Sequence, residues 1–330
     1  LLDSGVGGLA ALSRLCRYRP GAACVYMADT AFLPYGAKDA VTLTKRAEAA
    51  LAFFRREKAS AVLFACGTLS AVALPHLSPR DFPVFGVLAP AVDAAACATE
   101  CGRVLVLATE ASVASGSYPR ALAARGIRAR QIACPLFVPL CESGHTAPDD
   151  PLLRETVAQT LPQGCEDGAD TVLLGCTHYT WLVPALQRRF PGAALIDAAG
   201  EAVRVCLAAL PETAENISPG AVCPPLPEAA FPTAYPDTAA HIFPETASGA
   251  EIFSAGQPSG KELLPATQAT QPPCAPHAAK RPTLPPTPET EDPARRFCGC
   301  RFVCTGDAAA FARAASSLLK FPVRVSSVSL

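Results

Sequence analysis

Six short apolar runs punctuate the first 200 residues: CVYMA (24–28), AVLFA (61–65), VFGVL (84–88), RVLVLA (103–108), TVLLG (171–175) and ALID (194–197). Each is too short for a globular helix and carries apolar residues on consecutive positions, the mark of a strand covered on both faces. Between them lie longer stretches, such as 41–58 and 152–165, whose apolar residues recur every three to four positions. That spacing gives a helix one buried stripe. Strand–helix alternation with continuously apolar strands predicts an α/β fold, a doubly wound parallel sheet with helices on both sides. A chain of 330 residues exceeds what one core usually holds, so two such domains are expected.

The alternation stops near Pro211. From there to Pro293 lie more than half of the 33 prolines, with doublets at 224–225, 272–273 and 285–286 and Thr, Ala, Ser and Glu between them. Such a segment buries too little apolar surface to offset its ordering entropy, so 211–293 reads as a disordered insertion. Order resumes at RRFCGCRFVCTGDAAAFARAASSLLKF, where a strand-like run meets Thr-Gly-Asp, a turn or helix-cap signal. An amphipathic helix follows from about Ala308 to Leu319.

With a net charge of −1 and no basic stripe, nucleic acid is not the main partner. No run of 18 apolar residues and no charged-then-apolar leader occurs, so a cytoplasmic protein without membrane contact is expected. The chain begins at Leu1 and its one methionine is Met27, so residues before Leu1 are expected as well. Fifteen cysteines without regular spacing read mostly as small buried apolar residues in a reducing compartment. Their tightest cluster, Cys298, Cys300 and Cys304, lacks a fourth ligand and a usual metal-site spacing, which favours strand packing.

Two of the cysteines are placed alike. FACGTLSAVAL (64–74) and LGCTHYTWLVPAL (174–186) each read as strand end, cysteine, threonine, then helix. The carboxyl ends of strands are where doubly wound sheets bind ligands. A helix N-terminus beside a cysteine lowers its thiol pKa. For either site alone, a chance cysteine at a strand end is the better account; two matching sites shift the balance. LLDSGVGGLAAL at the start turns from Asp3 and Ser4 through glycines into a helix. Its spacing fails the dinucleotide fingerprint, but its amides, expected to be exposed, suit a carboxylate. DTAFLPYGAKD (29–39) carries Pro34, Tyr35 and Gly36 in a loop at a strand end.

Together, DSGVGGL, ADTAFLPYG, ACGT, CPLFVPLCESG and LLGCTHYTWLVPALQRRF stand in the order and spacing of bacterial glutamate racemase, which this chain resembles over roughly 1–205 and again, weakly, at FVCTGDAAAFARAA. The resemblance implies two pseudo-symmetric α/β domains with the substrate in the cleft between them. The first would span 1–90, completed by about 294–330 and part of 196–210, and the second 91–195. It implies proton transfer at the α-carbon of glutamate by two cysteines, without pyridoxal phosphate, metal or nucleotide, to supply D-glutamate for peptidoglycan and hence cell shape. Cys66 would act on the D-enantiomer and Cys176 on the L-enantiomer. Asp3 would assist Cys66, and Glu142 with His178 would assist Cys176. Asp3, Ser4, Tyr35, Gly36, Gly67, Thr68, Thr177 and His178 would bind the substrate, with Thr109 and Ser115 matched less closely. The blander and less favoured readings are a capping or buried structural histidine for His178 and a helix or loop surface charge for Glu142. The resemblance leaves room for a homodimer.

The chain departs from that pattern at Gly67, where the family carries asparagine. A lost hydrogen bond to a charged group costs about 1.5–3 kcal/mol, so Gly67→Asn is expected to raise turnover. Lesser departures are Ala28 and Ala108 for glycine, Thr180 for proline, and Cys141 beside Glu142. Two alternatives remain at this stage: a racemase of another acidic amino acid such as aspartate, and a weakened racemase retained as a binding or regulatory protein.

Overall fold

A computed structural model describes residues 1–78, 81–210 and 296–330; the proline-rich insertion read at 211–293 lies outside them. The strands are β1 (Leu2–Asp3), β2 (Cys24–Ala28), β3 (Val62–Phe64), β4 (Val84–Gly86), β5 (Arg103–Ala108), β6 (Arg128–Ala133), β7 (Thr171–Leu174), β8 (Ala194–Asp197), β9 (Cys300–Cys304) and β10 (Val325–Ser327). They form two sheets, ordered β10-β9-β2-β1-β3-β4 and β6-β5-β7-β8, with every neighbouring pair parallel. The order β2-β1-β3-β4 in the first repeats as β6-β5-β7-β8 in the second. The two sheets are therefore topological copies, with β9 and β10 appended beyond β2. The α/β architecture expected from the alternation is the one found.

The helices that separate the strands are α1 (Leu9–Tyr18), α2 (Ala40–Arg56), α3 (Leu88–Ala98), α4 (Glu110–Ser115), α5 (Ser117–Ala123), α6 (Phe137–Glu142), α7 (Pro151–Thr160), α8 (Val183–Arg189), α9 (Ala198–Ala209) and α10 (Ala308–Leu319). Aspartates start several of them. Asp39, Asp150, Asp197 and Asp307 accept backbone N–H groups at the starts of α2, α7, α9 and α10. Each such cap satisfies donors that a helix leaves without partners and contributes about 1 kcal/mol. The Thr-Gly-Asp signal thus caps α10 over the range read from the sequence.

Side chains alternate between the faces of each sheet, and both faces are covered. In the first sheet Leu2, Met27 and Phe64 pack with Leu43, Ala47, Leu51 and Phe54 of α2. Tyr26, Leu63 and Ala65 point the other way, into a core shared with Leu9 and Leu12 of α1. Val104, Val106 and Leu173 of the second sheet enter that same core, while Leu105, Leu107, Val172 and Leu174 pack on its far side. One apolar mass therefore joins the inner faces of the two sheets. Among the described residues no helix is long and apolar enough to cross a membrane.

β6 and β10 are absent from the six apolar runs. Both are edge strands, and β6 (RARQIA) places Arg128 and Arg130 in solvent. Unlike the apolar edges β4 and β8, these two carry polar residues on a solvated side, so continuous apolarity misses them.

Candidate active site

In each sheet the chain leaves the inner strand in opposite directions, β1 lying between β2 and β3, and β5 between β6 and β7. That reversal opens a crevice at the strands' carboxyl ends. Asp3 ends β1 and Ser4 follows it; Cys66 lies two residues past β3; Thr109 follows β5; Cys176 lies two residues past β7. The crevices of the two sheets meet in one cleft. Ser4, Pro34, Tyr35, Gly36, Cys66 and Thr68 line it from the first sheet's side, and Thr109, Val138, Cys176, Thr177 and His178 from the second. Its volume is about 10 Å³, room for roughly one water. Both strand-end cysteines thus open onto the same small space.

The residues around Cys176 form a relay. The Sγ atom lies 3.8 Å from His178 Nδ1, and His178 Nε2 lies 2.6 Å from Glu142 Oε1. The imidazole is 2% exposed. Burial opposes its charge, but the hydrogen bonds to Cys176 and to the Glu142 carboxylate outweigh it and hold its pKa well above the ordinary value. These contacts favour the charged form of the ring and hold it at both nitrogens.

Among the described residues no imidazole hydrogen-bonds Cys66. Complete burial, and then the nearby Asp3 carboxyl, push its thiol well above the ordinary value. Asp3 is itself pushed up to about 6, first by burial and against the favourable charge of His178. It accepts hydrogen bonds from Gly5 N at 2.9 Å and from Thr177 Oγ1 at 3.1 Å. The expectation that a helix dipole would lower this thiol's pKa is corrected here. A helical run, 67–76, does follow Cys66, and the amides of Thr68 and Leu69 act to lower its pKa, but desolvation outweighs them.

A second correction concerns the glycine turn at 5–8. Its amides are buried, not exposed, and they serve carboxylates of the protein itself: Gly5 N donates to Asp3, and Val6 N donates to Glu142 Oε1 at 2.9 Å. The glycines are needed because the second sheet's side chains press on this backbone. A Cβ at Gly7 would stand 2.3 Å from His178 Nδ1, and one at Gly5 would stand 2.1 Å from Glu142 Oε1.

Gly67 does not line the cleft; it packs edge-on against the other cysteine turn. A Cβ there would lie 1.9 Å from the carbonyl oxygen of Gly175 and 3.3 Å from Cys176 Cα. Backbone cannot yield as a side-chain tip can. The expectation that asparagine at this position raises turnover is therefore reversed, since any side chain must first drive the two turns apart.

Of the remaining residues singled out from the sequence, Ser4, Tyr35, Gly36, Thr68, Thr109, Thr177 and His178 reach the cleft. Thr68 Oγ1 and Thr109 Oγ1 lie 2.9 Å apart across it. Ser115 does not reach it; its hydroxyl donates to Ser112 O and Ser117 Oγ. Asp3 and Glu142 stand behind the lining, joined to Thr177 and His178. The sequence reading passed over the support of Tyr35. Its hydroxyl donates to buried Asp29, which also takes a two-pronged ion pair from Arg46 at 2.6 and 2.9 Å and a hydrogen bond from Thr305. Burial works against the Asp29 charge, but Arg46 and the hydroxyls hold its pKa below the ordinary value. The aspartate in ADTAFLPYG was a usable signal; Arg46, on the next helix, was not.

The profile of the Asp/Glu/hydantoin racemase family matches residues 3–206. The chain is similar to the glutamate racemase of Desulforudis audaxviator, 38% identical over 208 residues, which are 62% of this chain and 76% of that protein. It is similar also to the glutamate racemase of Thermus thermophilus, 39% identical over 200 residues, 60% of this chain and 74% of that one. A solved structure of glutamate racemase from Thermus thermophilus in complex with β-chloro-D-alanine superposes with a TM-score of 0.64 at 28% identity. It covers 100% of this chain and 95% of that chain.

Proposed function

The chain belongs to the Asp/Glu/hydantoin racemase family and is an amino-acid racemase, and from that premise we propose that it interconverts L- and D-glutamate with Cys66 and Cys176 as its two proton-transfer groups. What supports this most is that a thiol from each of two topologically duplicate sheets lines one cleft.

Racemisation removes a proton from one face of the α-carbon and returns one to the other. In the L-to-D direction the Cys176 sulfur, as thiolate, takes the α-proton, and the His178 imidazolium supplies positive charge 3.8 Å from that sulfur. The electron pair left on carbon delocalises into the substrate carboxyl group. The Cys66 thiol delivers its proton to the opposite face, leaving D-glutamate, a Cys66 thiolate and a Cys176 thiol. The reverse direction exchanges the two roles. Cys66, protonated at rest by its burial, is the donor this direction requires.

Glu142 orients His178, and Asp3 stands behind the Cys66 side. Ser4, Tyr35, Gly36, Thr68, Thr109 and Thr177 offer hydroxyls and backbone groups to the substrate's carboxylates and ammonium. A cleft of about 10 Å³ admits no amino acid, so the substrate enters as the two sheets part and is enclosed as they return. Closure then excludes water from the thiolate and the carbanion. No step calls on a cofactor. The D-glutamate formed would serve peptidoglycan synthesis in the cytoplasm, in keeping with the relatives' activity.

In deuterated buffer, product formed early should carry deuterium at the α-carbon while remaining substrate does not. Equal early labelling of both would indicate a single base and sink the two-thiol scheme. L-aspartate assayed beside L-glutamate fixes the substrate, with glutamate expected to turn over faster.

A further inference from the structure

Away from the cleft, at the opposite end of the first sheet, three cysteines from distant parts of the chain converge. Cys24 opens β2 and Cys300 opens β9, and they are direct partners across the parallel pair. Side chains at paired positions of neighbouring parallel strands project from the same face. Cys16 comes from α1, the helix laid on that face, and its Sγ stands 3.4 Å from that of Cys300. All three sulfurs lie within 4.8 Å of one another.

The backbone is fitted to this arrangement. Gly299 passes so close to the turn before β2 that a Cβ would meet the carbonyl oxygens of Gly21 and Ala22 at 2.5 Å. Its own carbonyl accepts from Cys24 N at 3.0 Å, which locks the two strand starts in register. The Cys-Gly-Cys spacing is therefore not a local metal loop. Cys298 is exposed, Cys304 lies at the other end of β9, and only Cys300 joins the trio.

We propose that Cys16, Cys24 and Cys300 form a three-thiolate site for a thiophilic d10 cation, Zn²⁺ or Cu(I). A metal–sulfur bond of about 2.3 Å implies sulfur–sulfur separations of about 3.8 Å around a tetrahedral ion, within the range found here. Thiolates select Cu(I) and Zn²⁺ over harder cations. Cu(I) is satisfied by three sulfurs. Zn²⁺ needs a fourth ligand, and the partial exposure of Cys24 and Cys300 leaves a side on which water can supply it. The bound ion ties α1 and β2 to β9, with Cys16 and Cys300 284 positions apart in sequence.

The test uses the full chain, reduced with a phosphine and freed of metal, then given Zn²⁺ or Cu(I) in separate arms. One equivalent should remain after desalting. Cys16, Cys24 and Cys300 should then resist alkylation, as mapped by mass spectrometry, while Cys97 and Cys101 stay reactive. With Co²⁺ in place of Zn²⁺, a thiolate-to-metal charge-transfer band should appear. Cys24→Ser should weaken binding at least tenfold, whereas Cys97→Ser should leave it unchanged. Protection that the metal adds only at other cysteines, relative to the metal-free protein, undiminished binding in Cys24→Ser, or no retained ion in either arm overturns the proposal. Should Cys24→Ser fail to fold, the protection map of the unaltered protein decides alone.

Discussion

The turns after β3 and β7 are the same device in topology and different devices in electrostatics. Each sets a cysteine two residues beyond an inner strand and opens it onto the shared cleft. Cys176 faces a buried histidine that Glu142 anchors and whose charged form these contacts favour. Cys66 faces a buried carboxyl, and its thiol is held protonated. Duplicated folds thus need not give duplicated chemistry. A reaction that takes a proton on one side while giving one on the other is served by a resting state with unequal sides.

The severest way to break the comparison is to remove one sulfur. Cys66→Ala and Cys176→Ala should each lower racemisation by about 10³-fold or more, the range of a lost acid–base group. Both should still fold, because each side chain is small and sits at a cleft. If either variant keeps full interconversion, the two turns do not share the reaction.

Next in size is the imidazolium. His178→Gln should lower kcat/KM by about 10²-fold. For a racemase the two directions share one kcat/KM, because the equilibrium constant is one, so asymmetry must be sought in isotope effects. With Cys176 transfer made slower, α-deuterated L-glutamate should show a larger primary effect, since in the proposed scheme its bond breaks at Cys176. α-Deuterated D-glutamate, whose bond breaks at Cys66, should show a smaller one. Equal changes in both would erase the distinction drawn here.

Stability against pH separates the sides further. Burial pushes the Asp3 carboxyl up to about 6 in the fold from its ordinary value of 3.8, so its charged form opposes folding. Stability associated with it is fully present below about pH 4 and lost as pH rises toward 6. The loss is on the order of 3 kcal/mol at most. His178 is also raised, so its contribution is complete below its ordinary value of about 6.5 and lost only as pH climbs through its higher folded value. Asp3→Asn should therefore flatten the denaturation midpoint between pH 4 and 6 while leaving the decline at higher pH. A slope unchanged between pH 4 and 6 would remove Asp3 as its source.

How far the sequence anticipates these differences depends on what a residue answers to. Strand runs such as RVLVLA and the aspartate caps report local constraints, and the fold class follows from them. The cleft residues Cys66, Thr68, Cys176 and Thr177 were legible because a functional group must sit at a strand end. RARQIA was passed over because an edge strand carries arginines. Arg46 was missed because its partner Asp29 is 17 residues away and only the fold joins them. The misread turn at 5–8 is the clearest case. Its glycines answer to Glu142 and His178, more than 130 residues distant.

Gly67 carries the smallest expected effect and the finest test of how the turns meet. Ordinary contact with a Cβ begins near 3.4 Å and Gly175 O would stand at 1.9 Å, so any side chain there must separate the turns by about 1.5 Å. Gly67→Ala adds that carbon and nothing else, and should lower kcat/KM about tenfold as closure loosens around the reacting carbon. Gly67→Asn adds the same carbon with an amide able to hydrogen-bond a charged substrate, an interaction of about 1.5–3 kcal/mol where it forms. Its rate should fall between those of alanine and glycine. The pair separates sterics from hydrogen bonding on one backbone, with Cys66 and Cys176 untouched. Asparagine outpacing glycine would mean that the turns stand farther apart during proton transfer than in this closed arrangement, and that the missing amide, not the contact with Gly175, governs the rate.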